Sequence, residues 1–206
     1  MGLYDRYILP PLIDALCSTK PIGKQRAKIV PAASGVVLEL GFGAGANLAY
    51  YDPAKVTRLF ALEPSPGMLA RAQEKAAAAP FEVEILQETA EALSLGAASV
   101  DTVLVTYSLC TIPDGLGALN AARRALRPGG RLLFCEHGTA PDANVARWQR
   151  RIEPVWKRIG GGCHLTRDIP AIVRGAGYEI EAMETMYLPG TPQWAGYNYW
   201  GVARAR

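Results

Sequence analysis

Short apolar runs alternate with stretches of helical pattern along most of the chain. The apolar runs predict strands near 36–40, 58–62, 81–86, 100–105 and 131–136. The intervening stretches predict helices near 46–51, 66–79, 115–126 and 143–159. Strands that alternate with helices in this way favour a parallel sheet with crossover helices on its faces. The pattern therefore predicts a doubly wound α/β fold.

The pattern changes in the last part of the chain. Thr166 is predicted to cap a short helix that ends at Gly175 or Gly177. Two extended runs follow, at 178–187 and 197–204, and we expect them to close the sheet as an antiparallel hairpin.

The first predicted strand runs into three glycines spaced by two, Gly41, Gly43 and Gly45. Glycine tolerates positive φ and lets a ligand lie against the backbone. Glu39 stands in the apolar strand, where a carboxylate needs hydrogen-bond donors, so we expect it to hold the loop's N–H groups or a cationic ligand. A phosphate would gain nothing from that charge, although Gly41-x-Gly43-x-x-Ala46 also satisfies a relaxed dinucleotide fingerprint.

Two later motifs narrow this choice. Glu63 ends the second predicted strand, eighteen residues after Gly45, where it can accept hydrogen bonds from both hydroxyls of an adenosyl ribose. The run from Leu126 to Phe134 indicates a helix end, a Pro-Gly-Gly turn and a buried strand. In this order, the motifs resemble those of the class I S-adenosylmethionine (SAM) methyltransferases. The resemblance implies SAM as cofactor and a Rossmann-like seven-stranded sheet of order 3-2-1-4-5-7-6, with strand 7 antiparallel.

Ligands of open α/β sheets bind beyond the carboxyl ends of the strands. The resemblance then implies cofactor contacts from residues that follow the first four strands, although Glu91 is equally well explained as an acid at a helix start. These candidates are Glu39, Gly41, Phe42, Gly43, Gly45, Asn47, Glu63, Pro64, Thr89, Ala90, Glu91, Tyr107 and Ser108.

Residues 103–177 resemble a narrower group, the small thiol S-methyltransferases. The matching segments are Ser108–Ile112, Arg124–Gly130, Glu136-His137, Trp148-Gln149, Glu153–Trp156 and Gly162–Arg167. The resemblance implies methylation of a small thiol or hydrogen sulfide. His137 at the end of the fifth strand is the predicted catalytic residue, which removes the thiol proton or stabilises the thiolate.

Other functions fit parts of this pattern. An N- or O-methyltransferase of a phospholipid amine, quinone or other small molecule would carry the same cofactor motifs. A nicotinamide-dependent oxidoreductase would share the glycine loop. The one Tyr-x-x-x-Lys spacing in the chain, Tyr51 to Lys55, lies just before the second predicted strand, and we do not interpret it as a hydride-transfer pair. A non-catalytic cofactor-binding module would keep the loop and Glu63 alone.

Cys135, His137, Cys163 and His164 are candidate zinc ligands, because thiolates and imidazoles bind zinc. Their spacing matches no known zinc motif, and adjacent residues rarely reach one ion, so we predict no metal. Trp194, Tyr197 and Tyr199 are expected to wall an apolar acceptor pocket.

The N-terminal residues 1–30 are expected to form a lid over the cofactor, with Tyr4 in contact with it. Residues 1–16 have an amphipathic pattern, so contact with a membrane surface is the alternative. We favour the lid because the charge that lipid binding needs is sparse.

Composition adds few constraints. With 206 residues, half of them hydrophobic, the chain is expected to form one domain, 1–206. A net charge of +3 gives no reason to expect a nucleic-acid partner. The four cysteines show no disulfide framework, and no apolar run has the length of a membrane helix. We therefore expect a cytoplasmic enzyme of a small-molecule substrate, without stable membrane insertion; the oligomeric state is not predicted.

Overall fold

A single seven-stranded sheet organises the protein, in the order β3-β2-β1-β4-β5-β7-β6. The computed structural model describes residues 9–206. The strands are β1 Gly35–Leu40, β2 Val56–Leu62, β3 Glu82–Leu86, β4 Val100–Thr106, β5 Leu126–His137, β6 Tyr178–Tyr187 and β7 Tyr197–Ala205.

Helices precede the sheet and connect its strands. They are α1 Leu9–Cys17, α2 Lys20–Ile29, α3 Pro66–Ala77, α4 Gly115–Ala125, α5 Ala143–Ile159, α6 Ile169–Gly175 and α7 Gln193–Gly196. Short 3-10 helices lie at Val30–Ala32, Leu48–Tyr50 and Ala90–Ala92. Among the helices of residues 9–206, none combines the length and the apolar character that crossing a bilayer requires.

The predicted topology is confirmed. Strands β1 to β5 pair in parallel, whereas β7 runs antiparallel to both β5 and β6. The Pro-Gly-Gly turn makes an irregularity in β5, because the pairing with β4 jumps from Leu126 to Arg131 and Gly129 has a φ of +82°.

Two local predictions were wrong. The segment 46–51 forms a turn and one 3-10 helix instead of an α-helix, because the buried Asn47 side chain is bonded to Glu39 and holds the chain in a tight turn. Asp168 caps α6 by accepting a hydrogen bond from the N–H of Ala171. The expected cap, Thr166, donates its hydroxyl to Glu153 instead.

The core lies on both faces of the central strands. Leu38 and Leu40 of β1 point into one buried cluster, and Val37 points into the other. Such apolar runs are typical of parallel strands covered on both sides by helices. Because β1, β2 and β4 are parallel, their carboxyl ends meet at one edge of the sheet, where the polar residues collect.

Candidate active site

A cavity of about 360 Å³, which we call the glycine-loop cavity, opens at this edge of the sheet. Most of the residues predicted to contact a cofactor are in its wall. These are Gly41, Phe42, Gly43, Glu63, Pro64, Thr89, Ala90, Glu91, Tyr107 and Ser108.

The glycine loop after β1 has positive φ at Gly41, Gly43 and Gly45, as predicted. A Cβ added at Gly41 would lie 2.2 Å from Oγ of Ser108, so this glycine permits close packing between two loops. A Cβ at Gly43 would meet no atom within 4 Å, because this position opens to the cavity. Gly45 does not line the cavity.

Glu63 joins the end of β2 to the glycine loop. Its Oε2 accepts a hydrogen bond from the N–H of Gly43 at 2.8 Å, and its Oε1 accepts one from Ser65 at 2.9 Å. Burial raises the pKa of this carboxyl, while the two backbone N–H groups oppose the shift. A carboxylate offers about four acceptor positions, so both oxygens keep capacity for the hydroxyls of a ribose.

Glu39 lies beneath the glycine loop in a buried polar network. Its two oxygens accept hydrogen bonds from Asn47 Nδ2 at 2.9 Å and from the hydroxyl of Tyr51 at 2.6 Å. Burial raises the pKa of Glu39 to about 7, despite these bonds. Glu39 is therefore bonded to Asn47 and Tyr51 and not, as expected, to the N–H groups of the loop. Neither Glu39 nor Asn47 lines the cavity, so these two predicted contact residues lie beneath its wall.

Arg26 and Thr106 belong to this network and line the cavity. Nη1 of Arg26 donates to Asn47 Oδ1 and to Thr106 Oγ1, both at 2.6 Å, and the arginine is 5% exposed. Its guanidinium also lies 5.3 Å from the ring centre of Tyr107. Sequence reasoning missed Arg26, because one arginine in a helix that also carries several lysines forms no recognisable motif.

A second cavity of about 400 Å³, which we call the Trp cavity, adjoins the first. Tyr107 and Thr111 line both. The wall of the Trp cavity also includes Trp156 and the predicted Trp194. The prediction for Tyr197 and Tyr199 was wrong, since these side chains pack into the hydrophobic core and are absent from the cavity wall.

His137 lines the Trp cavity beside two cysteines. Its Nε2 lies 3.0 Å from Sγ of Cys163, to which Trp156 Nε1 donates at 3.2 Å. Cys110 completes a group, the Cys-His cluster, whose three ligand atoms all lie within 4.8 Å of one another. Nδ1 of His137 is buried and has no hydrogen-bond partner among residues 9–206.

Two residues weighed as zinc ligands lie elsewhere. Cys135 is fully buried in a hydrophobic core cluster, and His164 directs its Nδ1 to Glu153 at 3.0 Å. Instead, the fold brings Cys110 next to His137 and Cys163, from a loop 27 residues before His137.

The neighbouring groups of the Cys-His cluster shift one another's pKa values. A hydrogen bond with the Cys110 thiol, together with burial, raises the pKa of Cys163 well above its usual range. Burial by itself lowers the pKa of His137, but Cys163 and Glu136 raise it, and the net shift is upward.

Two charged residues fix the loop that carries Cys110. Oε1 of the fully buried Glu136 accepts hydrogen bonds from the N–H groups of Ser108, at 2.7 Å, and Leu109, at 3.0 Å. Arg167 donates to the carbonyls of Leu109 and, at 2.6 Å, Ile112. Both residues belong to the segments that carry the resemblance to thiol S-methyltransferases, which was the only sequence signal for them.

Helix α1 lies against both cavities. Leu9 lines the glycine-loop cavity, and Ile13 and Cys17 line both. An ion pair of 3.0 Å between Asp14 and Arg71 ties α1 to α3. The predicted contact of Tyr4 lies outside the described residues.

Sheet order, glycine loop and Glu63 together define a class I SAM-dependent methyltransferase fold. The methyltransferase domain family matches residues 38–134. A SAM-dependent methyltransferase of Thermotoga maritima, a possible histamine N-methyltransferase, superposes with a TM-score of 0.67 at 20% identity over 98% of both chains. A SAM-dependent methyltransferase of Leishmania major gives 0.71 at 14% identity, over 98% of this chain and 80% of that one. These two structures share the fold.

Sequence relatives narrow the family. The human thiol S-methyltransferase TMT1B is 37% identical over 79% of this chain and 68% of its own length. The rat TMT1B is 38% identical, but the match spans only 55% of that protein and 64% of this chain. The chain belongs to the thiol S-methyltransferase family of SAM-dependent methyltransferases.

S-adenosylmethionine is therefore the cofactor, and the residues present fit it. The face of Gly43 is open where a Cβ would fill the cavity, and the Glu63 oxygens keep free acceptor positions for ribose hydroxyls.

Proposed function

We propose that the protein transfers the methyl group of SAM to a small apolar thiol or to hydrogen sulfide. The observation that carries this proposal is the Trp cavity, which adjoins the glycine-loop cavity through Tyr107 and Thr111. Its wall combines two indole rings with the imidazole of His137. A mainly apolar space with a few polar groups in its wall suits a small sulfur compound. The names of the relatives support the same acceptor.

The glycine-loop cavity is proposed as the cofactor site. Glu63 accepts the ribose hydroxyls, and the open face of Gly43 admits the cofactor against the backbone. Glu39 and Asn47 act indirectly, because they hold Arg26, which lines the cavity. Gly45 acts through the conformation of the loop. The remaining contacts are assigned to the other predicted residues of the cavity wall, Gly41, Phe42, Pro64, Thr89, Ala90, Glu91, Tyr107 and Ser108.

The chemistry asks little of the acceptor site. When bound, SAM supplies a methyl group that its sulfonium already activates, so the chain mainly aligns the reactants. A free thiol has a pKa of about 8.5 and is largely protonated at pH 7. We assign His137 the role of promoting thiolate formation. The acceptor sulfur then forms its bond to the methyl carbon as the sulfonium bond breaks, and the proton leaves to solvent.

The N-terminal segment is proposed to act as a lid, within a single domain of residues 1–206. The contacts of Leu9, Ile13 and Cys17 with the cavities support this role. By excluding water, a closed lid would strengthen the polar contacts inside the site.

A panel of acceptors on one carbon skeleton tests the proposal. The purified protein is incubated with methyl-labelled SAM and phenylmethanethiol, benzylamine or benzyl alcohol, and products are identified by mass spectrometry. We expect label in the methyl thioether. Label in the amine or the alcohol, with none in the thiol, would show that the acceptor atom is nitrogen or oxygen.

A further inference from the structure

The Cys-His cluster has the composition of an incomplete metal site. It offers two sulfurs and one imidazole nitrogen within 4.8 Å of one another. Zinc lies about 2.3 Å from thiolate sulfur and about 2.0–2.1 Å from imidazole nitrogen, so its tetrahedral ligands are about 3.5–3.8 Å apart. Small side-chain movements bring the three atoms to that spacing. Two cysteines, one histidine and an open position are a ligand set of catalytic zinc.

The cluster is assembled from three separate elements that are fixed before any ion binds. Cys110 follows β4, His137 ends β5 and Cys163 follows α5. The N–H of His164 donates to the carbonyl of Cys110 at 2.8 Å, which ties the loops of the two cysteines together. Gly162, with a φ of +88°, makes the turn that delivers Cys163.

Outer contacts also suit bound sulfur. The indole N–H of Trp156 donates to Sγ of Cys163 at 3.2 Å, and Oγ1 of Thr111 lies 3.5 Å from Sγ of Cys110. Groups of this kind orient metal ligands and tune them. All three cluster residues line the Trp cavity, so a fourth coordination position would open to that space.

We propose that Cys110, His137 and Cys163 bind one zinc ion whose fourth position opens to the Trp cavity and takes the sulfur of the acceptor. The second part of this inference rests on the proposed function. It replaces the sequence-based prediction of a metal-free site, which weighed Cys135 and His164 instead of Cys110.

The step balances without a redox partner. The cysteines bind as thiolates and release their protons when the ion binds. The acceptor thiol loses its proton to solvent and binds zinc as a thiolate. Its sulfur then uses an electron pair to form the bond to the methyl carbon, and the sulfonium–carbon bond breaks with its pair on the departing sulfur. The neutral thioether is a weaker ligand and leaves the ion.

Cobalt substitution tests the site without reference to activity. The protein is reduced with a phosphine, which does not compete as a thiol, and titrated anaerobically with Co²⁺. We expect one ion per chain, a thiolate-to-cobalt charge-transfer band in the near ultraviolet and the intense visible bands of a tetrahedral centre. Zn²⁺ should abolish these bands by displacing the cobalt.

Variants separate the cluster from other thiols. Cys110→Ser, Cys163→Ser and His137→Ala should each weaken Co²⁺ binding by more than the roughly 100-fold that loss of an outer contact costs. Cys17→Ala removes a thiol from the same cavity but not from the cluster, so it should bind normally. Thermal unfolding confirms that each variant is folded. If folded, reduced wild-type protein takes up no stoichiometric cobalt, the proposal is wrong.

The acceptor position is tested on the cobalt protein without SAM. Phenylmethanethiol should shift the charge-transfer band, whereas benzyl alcohol should not; no shift by the thiol overturns the second part. The two proposals fail differently. Thiol methylation by metal-free protein would refute the zinc proposal and support the proposed function. A cobalt site in a protein that forms no thioether would support the metal site and refute the proposed function.

Discussion

The two cavities hold their polar groups in different ways. Around the glycine-loop cavity, Glu63 has both oxygens bonded to backbone N–H groups, and Arg26 has two neutral side-chain acceptors. In the Trp cavity, His137 and Cys163 are satisfied mainly by each other, and Nδ1 of His137 lacks a partner among the described residues. The first arrangement rests on backbone N–H groups and neutral side chains, although Nε of Arg26 also lacks a partner among the described residues. Under the proposed function and the proposed zinc site, the second arrangement depends on a proton or an ion.

The largest effect is expected when this dependence is broken. His137→Ala should lower turnover with thiols at pH 7 by about 100- to 10,000-fold, because thiolate formation is left to the solvent. The loss should shrink above about pH 8.5, where free thiols ionise unaided. SAM affinity should change little, since His137 lies in the Trp cavity.

His164→Ala is the matched control for this experiment. It removes the chain's other histidine, which bonds Glu153 and lines neither cavity. Its turnover should stay within a few-fold of the wild type. A His137→Ala protein that is fully active at pH 7 would leave this residue a structural role only.

A smaller effect is expected from a substitution in the glycine-loop cavity. Glu63→Ala removes two charge-assisted hydrogen bonds to the ribose, each worth about 1.5–3 kcal/mol, so SAM should bind at least about 100-fold more weakly. Calorimetric titration measures the affinity. Glu82→Ala, which removes a surface partner of Arg58, is the control and should bind normally. Unchanged affinity in Glu63→Ala would disprove the ribose contact.

Gly43→Ala sharpens the same point. It places a Cβ in the cavity and strains the backbone, and we expect about tenfold weaker SAM binding with a lower melting temperature. Gly129→Ala imposes similar strain, because Gly129 has a φ of +82° and open space at its Cβ, but it is far from the wall. The Gly129→Ala protein should therefore have a lower melting temperature and an unchanged affinity for SAM. Equal losses of affinity in both variants would show that Gly43 acts only through the fold.

The last effect is on stability and not on binding, and it concerns the buried network below the loop. The pKa of Glu39 is raised to about 7, so the folded protein holds a proton that the unfolded chain releases near pH 4.5. The free energy of unfolding should therefore fall by about 1–3 kcal/mol from this group as pH rises from about 4.5 to 7. Urea unfolding of Glu39→Gln should show a flatter profile. A wild-type profile that matches the variant's would contradict the raised pKa.

Local motifs account for what was predictable. The glycine loop and Glu63 are set by neighbouring residues, so sequence reasoning identifies Gly41, Gly43 and Glu63 of the cavity wall. The Cys-His cluster and Arg26 join segments that are distant in sequence, and no local spacing reports such contacts. The segment 46–51 misled for a related reason: its apolar pattern suited a helix, but the buried bond between Asn47 and Glu39 decided its turn.

The contact between Gly41 and Ser108 has an evolutionary consequence. A side chain at 41 would lie 2.6 Å from Cβ of Ser108, so even alanine at 108 could not accommodate it. The Ser108 hydroxyl also contacts the carbonyl of Gly41 at 3.2 Å. The constraint therefore runs in one direction: position 108 can lose its hydroxyl while 41 stays glycine, whereas a descendant with a side chain at 41 must first lose the side chain at 108 or move that loop.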